Sequence, residues 1–203
     1  MAQGNRLRGV IEIHDFDGSV ANTVEPTINR YLPEFVRKHE KLRKVAANTL
    51  FVFGELTGTG KKEVMGIART GKASLNPYMI EMLRAHREEG AEIIMLTSNG
   101  HANEIRGIMS ENSVEVTAFH CNPSKKADFV RAVVAGNPDK RVVSVNDSML
   151  ETAQAVVKGL RRKSVLFSGA HNSVSSYLMG SLRIASVADA KSMDKAVRAA
   201  AGT

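Results

Sequence analysis

An α/β chain, with a Rossmann-like, mostly parallel sheet flanked by helices and a small, mainly helical cap, is the fold class this sequence predicts. Two observations carry the prediction. Short apolar runs that read as buried strands alternate with stretches of helical periodicity along most of the chain. Such alternation implies right-handed crossovers and a sheet covered on both faces. Between the first two strand units lie residues 23–75, far more chain than an ordinary connection needs.

Val10, Ile11 and Ile13 read as the first buried strand, and Gly18 permits a sharp exit from it. A helical pattern follows through Val24, Ile28, Tyr31, Leu32, Phe35, Val36, Leu42, Val45 and Ala46, with Pro33 placed to kink or divide it. Leu50 to Lys72 is rich in glycine and lysine and reads as loop plus short helix. From Pro77 the pattern is regular: Met79, Met82 and Leu83 share a helical face, Gly90 can end that helix, and Ile93 to Leu96 form a second strand. Ile105 and Ile108 mark a short helix, and Val114 to Phe119 a third strand. Phe129, Val130, Val133 and Val134 mark a helix stopped by Gly136 and Pro138. Val142 to Val145 is a further strand. Leu150, Ala153, Val156, Val157 and Leu160 share the face of the next helix, Val165 to Phe167 is another strand, and a last short strand and closing helix follow. The expected organisation is a core of residues 1–22 and 76–203 with a cap inserted at 23–75.

With 203 residues, 43% of them hydrophobic and 24% charged, the chain has the composition of one ordinary globular domain with room for a small insert. The formal charge of +7 favours anionic ligands, with basic clusters at Arg37–Lys44, Lys61–Lys62 and Arg161–Lys163. A phosphorylated metabolite and a nucleic acid would both be drawn to that field. Cys121 is the single cysteine, which excludes an intrachain disulfide and an all-cysteine zinc site. The opening MAQGNRLRG offers no apolar signal segment, and no run of about 18 apolar residues occurs anywhere, so a cytoplasmic protein without a membrane span is expected.

The chemistry gathers at strand ends. Asp15 and Asp17 follow the first strand, Thr97 and Ser98 the second, Lys125 and Lys126 come later, and Asn146 and Asp147 follow VVSV. In a parallel sheet these ends share one edge, where open α/β folds bind ligands. Asp15 has the placement of a nucleophile toward phosphorus and Asp17 that of its proton-handling partner. A carboxylate about 4 Å from a phosphate is opposed by about 4 kcal/mol per pair of unit charges at an effective dielectric near 20. A hard dication and a lysine remove that opposition.

HDFDGSVANT, IIMLTSNG, PSKKADFVRAVV and VVSVNDSMLE, in that order, resemble the motifs of the haloacid dehalogenase-like (HAD) phosphohydrolase superfamily, over a span from about Val10 to Phe167. The resemblance implies a nucleophilic Asp15 that forms an aspartyl-phosphate. It also implies that Asp17 protonates the leaving oxygen and then activates water, while Thr97, Ser98, Asn99 and Lys126 hold the phosphoryl group. A Mg²⁺ site would be formed by Asp15, Asp147 and the main-chain carbonyl of Asp17. Lys125 competes with Lys126 for the lysine role. The chain departs from the usual pattern at Ser19, Asn146 and Glu151, the last one helical turn beyond Asp147 and able to reach a metal-bound water or the lysine.

Other motifs carry less. The DxDG loop lacks the acid at the fifth position that an EF-hand needs, and GELTGTGKK has Glu55 where a phosphate loop has its first glycine. His14 precedes Asp15 and should point to the opposite sheet face; like the other histidines, it reads as a core or surface residue. The expected function is a Mg²⁺-dependent phosphatase hydrolysing a phosphomonoester of a small metabolite. Alternatives are a phosphatase of nucleotides or nucleic-acid ends, a phosphomutase, and a non-catalytic binding protein on the same fold.

Overall fold

Strand β1 (Val10–Asp15) is buried along all its length, as a central parallel strand covered on both faces must be. The computed structural model that places it describes residues 6–57, 74–97, 102–121, 126–160, 163–167, 185–187 and 192–203. After β1 come a short strand β2 (Ala21–Asn22), helices α1 (Val24–Tyr31), α2 (Glu34–Lys38) and α3 (Glu40–Thr57), and a short strand β3 (Ser74–Leu75). The regular alternation then begins with α4 (Pro77–Glu88), β4 (Glu92–Thr97), α5 (Ala102–Glu111), β5 (Ala118–Cys121), α6 (Lys126–Gly136) and β6 (Arg141–Asn146). It ends with α7 (Met149–Val157), β7 (Ser164–Phe167), β8 (Ala185–Val187) and α8 (Met193–Ala201).

Among the described residues the main sheet has the order β5-β4-β1-β6-β7-β8, and every pairing in it is parallel. The chain leaves β1 for β4 and β5 on one side, then crosses to β6 on the other, so the loops after β1 and β6 diverge and open a crevice at the carboxyl edge. Register sets Asp15 beside Leu96 and His14 beside Val145, which brings the ends of β1, β4 and β6 to one level.

Period-two alternation sends the side chains of β1 to two different layers. Val10 packs with Met79 and Leu83 of α4, Ile105 and Met109 of α5, and Met193 and Val197 of α8. Ile11 and Ile13 pack with Ala127 and Val130 of α6 and Ala155 of α7. The segment after β2 builds a third, separate cluster from Ile28, Leu32, Ala47 and Phe51. Its two ends are joined by the antiparallel pairing of Ala21 with Leu75 and Asn22 with Ser74. Among the described residues, no helix is long and apolar enough to cross a membrane.

Four local expectations change. Val114 lies outside β5, because its amide closes the end of α5 on the Met109 carbonyl while Ser113, at φ 53°, donates to the Ser110 carbonyl. This is a left-handed helix cap, and it takes the backbone group that a strand would have used. α3 continues through Thr57, since Phe51 is buried in the insert cluster; the rest of the Leu50–Lys72 segment lies outside the described residues. On α7 the buried face is Thr152 and Ala155, and Val157 is 88% exposed. In the helical segment Ile28 and Leu32 are buried, whereas Tyr31, Phe35, Leu42 and Val45 are exposed.

Candidate active site

The loop after β1 reverses within a few residues. Ala21 N donates to the Phe16 carbonyl at 2.8 Å, and Gly18 N donates to the Ala21 carbonyl at 2.9 Å. Gly18 adopts φ +77°, and a Cβ on it would collide with Asp147 Oδ2. Glycine is therefore required twice, for the turn and for the approach of the β6 loop. Asp15, at the end of β1, is 5% exposed, as is Asp147 just beyond β6.

Lys126 opens the described part of α6 and turns inward: its Nζ donates to Asp15 Oδ2 at 2.6 Å and lies 3.0 Å from Glu151 Oε2. Asn146 Nδ2 donates to that same Glu151 oxygen at 2.7 Å, and Asn146 Oδ1 accepts from Ser148 N at 3.0 Å. Asp17 accepts on both carboxylate oxygens, from Thr23 Oγ1 at 2.9 Å and from Thr97 Oγ1 at 3.1 Å. Several of these side chains, with Ser144, Thr152 and Ser164, line a small cavity reaching back between β6 and α7.

The electrostatics are those of a site short of positive charge. Burial, more than anything else, pushes Asp15 well above the usual carboxylate range. Lys126 opposes that shift, and Glu151 and Asp147 add to it. Asp147 is pushed up to about 7, again chiefly by burial, with Lys126 opposing and Glu151 and Asp17 adding. Burial would lower Lys126, but the carboxylates of Asp15, Glu151 and Asp147 hold its proton and raise it. Asp15 Oδ1 is buried with no hydrogen-bond partner among the described residues.

That orphaned oxygen tests whether a cation suits the place. Asp15, Asp17, Asp147 and Glu151 supply only oxygen donors, the chemistry that Mg²⁺ takes. Among the described residues, no three His, Cys, Asp or Glu side chains form a metal-holding group by themselves. A hard cation fits on two carboxylates only with main-chain oxygen and water completing its shell, which is usual for Mg²⁺.

No family model matches the chain, and no curated protein matches it in sequence. Solved structures do match it. One is a HAD-superfamily hydrolase, subfamily IA, variant 1, from Geobacter sulfurreducens, with TM-score 0.54 and 11% identity over 97% of this chain and 100% of that one. Another is a haloacid dehalogenase-like family hydrolase from Xanthomonas campestris, with TM-score 0.52 and 13% identity over 97% of both chains. A candidate phosphoglycolate phosphatase from Lactobacillus delbrueckii matches with TM-score 0.53 and 12% identity over 94% of this chain and 98% of that one. The chain has the HAD-like fold.

Within the HAD-like fold, the structure brings Asp15, Asp17, Thr97, Lys126 and Asp147 to one sheet edge. Ser98, Asn99 and Lys125 lie outside the described residues. Sequence reading missed Thr23, whose hydroxyl reaches back over six residues to Asp17. The only signal available was a hydroxyl residue at the start of the helical segment. It also left open what Glu151 does; its carboxylate is on the lysine, with Asn146 holding it there.

Proposed function

We propose that this chain is a Mg²⁺-dependent phosphatase that hydrolyses a phosphomonoester of a small metabolite through an aspartyl-phosphate on Asp15. The observation that carries the reading is the buried Lys126–Asp15 pair at 2.6 Å with Asp15 Oδ1 left over, on the edge shared with Asp17, Thr97 and Asp147. Lys126 keeps one oxygen of Asp15 oriented and stands ready to neutralise the phosphoryl group that arrives beside it. Asp15 attacks phosphorus, and Asp17 gives a proton to the leaving oxygen, then takes one from the water that cleaves the acyl phosphate. Thr97 supplies a hydroxyl to the phosphoryl oxygens once Asp17 turns from it toward substrate, with Ser98 and Asn99 contributing amides. Asp15, Asp147 and the Asp17 main-chain carbonyl would hold Mg²⁺. When bound, it offsets the repulsion between the carboxylate and the phosphate.

Residues 23–75, whose described part carries helices α1, α2 and α3, serve as a cap. Its base is pinned by the β2–β3 pairing next to the Asp17 loop, which suits enclosure of a small substrate. The name of the Lactobacillus neighbour supports a small phosphorylated acid as one candidate class. The decisive experiment is turnover of a phosphomonoester panel by purified protein with Mg²⁺. Hydrolysis of small substrates is expected, and Asp15→Asn should lose more than about a thousandfold in rate. Wild-type inactivity across the panel, or an active Asp15→Asn, rejects the reading.

A further inference from the structure

On the opposite face of the sheet from Asp15 lies a second set of buried charges that phosphoryl transfer does not use. Glu12, His14 and His86 are each fully buried. His14 Nε2 lies 2.9 Å from Glu12 Oε2, and His86 Nδ1 lies 2.8 Å from Glu12 Oε1. The other ring nitrogen of His86, Nε2, lies 2.6 Å from Asp194 Oδ1 in the first turn of α8. Arg198, one turn further along α8, donates Nε to the same Asp194 oxygen at 2.7 Å and forks its two terminal nitrogens onto Glu89 at 2.8 Å each.

An ionised carboxylate only accepts hydrogen bonds, so an imidazole that faces one through each nitrogen must carry a proton on both. A neutral ring would set one lone pair directly against a carboxylate oxygen. We propose that protonated His86 is the bolt fastening the first turn of α8 to the sheet, and that losing this proton frees the turn.

The charged groups around His86 come from every element packed on it: Glu12 and His14 from β1, Asp194 and Arg198 from α8, and Glu89 beyond the end of its own helix, with Arg6 acting on Glu89. Burial opposes the charge on His86, but Glu12 and Asp194 raise it above the ordinary histidine value. Burial likewise opposes ionisation of Glu12, yet the two histidines hold its carboxyl at about 2. The stabilisation from a raised histidine is complete below about pH 6.5 and disappears as pH rises through the folded-state value. Asp194 is 48% exposed at its side chain, which gives the outer bond of the bolt access to solvent. Opening this turn lifts Met193 out of the core.

The test uses the full chain and does not depend on any enzymatic activity. Ring ¹⁵N shifts report the protonation of His86. Amide exchange at Val197 and Arg198, normalised for intrinsic base catalysis, reports the turn whose helical bonds close onto Met193 and Asp194. His86 should carry two ring protons at pH 6. As it titrates, protection at Val197 and Arg198 should fall about tenfold, in line with loss of one charge-assisted hydrogen bond, while β1 amides hold theirs. In His86→Gln the low protection should already be present at pH 6 and no longer vary with pH. If that variant does not fold, Asp194→Asn gives the same readout by removing the outer carboxylate. A neutral His86 ring at pH 6, flat protection through its titration, or a variant that keeps the wild-type profile would overturn the proposal.

Discussion

A methyl group on Gly18 would collide with Asp147 Oδ2, and the φ of +77° already disfavours any side chain there. Gly18→Ala is therefore expected to destabilise the protein by about 1–3 kcal/mol, measured by urea unfolding, and to lower the proposed phosphatase turnover by displacing Asp147. An unchanged midpoint would contradict the close approach of the two loops. Thr23 makes a gentler probe, since its hydroxyl, with that of Thr97, holds the Asp17 carboxylate among the described residues. Thr23→Val should reduce kcat about tenfold with little change in KM, as expected when one hydrogen bond that places the proposed proton donor is removed. Asp15, Asp17, Thr97 and Asp147 were legible because each sits in a short motif at a strand end, where local pattern alone fixes position. Thr23 was not, because its partner is chosen by how the chain reverses at Gly18. Glu12, His86 and Asp194 were illegible for a stronger reason: their bonds span 74 and 108 residues and no local motif announces them.

At the scale of elements, the strand-and-helix order could be read from periodicity, but boundaries moved wherever a helix end claimed backbone groups. β5 is the clearest case. Val114 looks like strand in an apolar run, yet its amide caps α5 and the strand begins at Ala118. The cap holds Ser113 at φ 53°, a conformation that favours glycine. Ser113→Gly should accordingly stabilise the protein by about 0.5–1 kcal/mol in thermal unfolding. A destabilised variant would mean that the serine side chain matters more there than its backbone. α7 misled in another way, since Val157 fits the apolar spacing but the buried face is set by Thr152 and Ala155. Periodicity marks a helix; which face turns inward depends on the strands and the helix it packs against.

For the whole molecule, Asp15, Asp17, Asp147, Glu151 and Lys126 lie, among the described residues, at the edge where β1 and β6 part, and the proposed Mg²⁺ would offset their excess of negative charge. Mg²⁺ should raise the unfolding free energy by about 2.7 kcal/mol at a hundred times its Kd, and Asp147→Asn should abolish most of that gain. Because burial holds Asp147 at about 7, protons compete with the metal below that pH; the Mg²⁺-induced rise in Tm should be larger at pH 8 than at pH 5. The parallel sheet and its crevice could be read from the alternation of strands and helices. The sequence placed Lys126 at the site and left Glu151 a choice between the lysine and a metal-bound water; that Asn146 holds Glu151 on the lysine could not be read, since it depends on where α6 and α7 come to rest. The most direct measurement quenches the enzyme during turnover, reduces it with borohydride and maps its peptides by mass spectrometry. Homoserine in place of aspartate is expected at position 15, the product of a reduced acyl phosphate. Reduction at another position, or an unmodified chain during continued turnover, would contradict the proposed aspartyl-phosphate on Asp15.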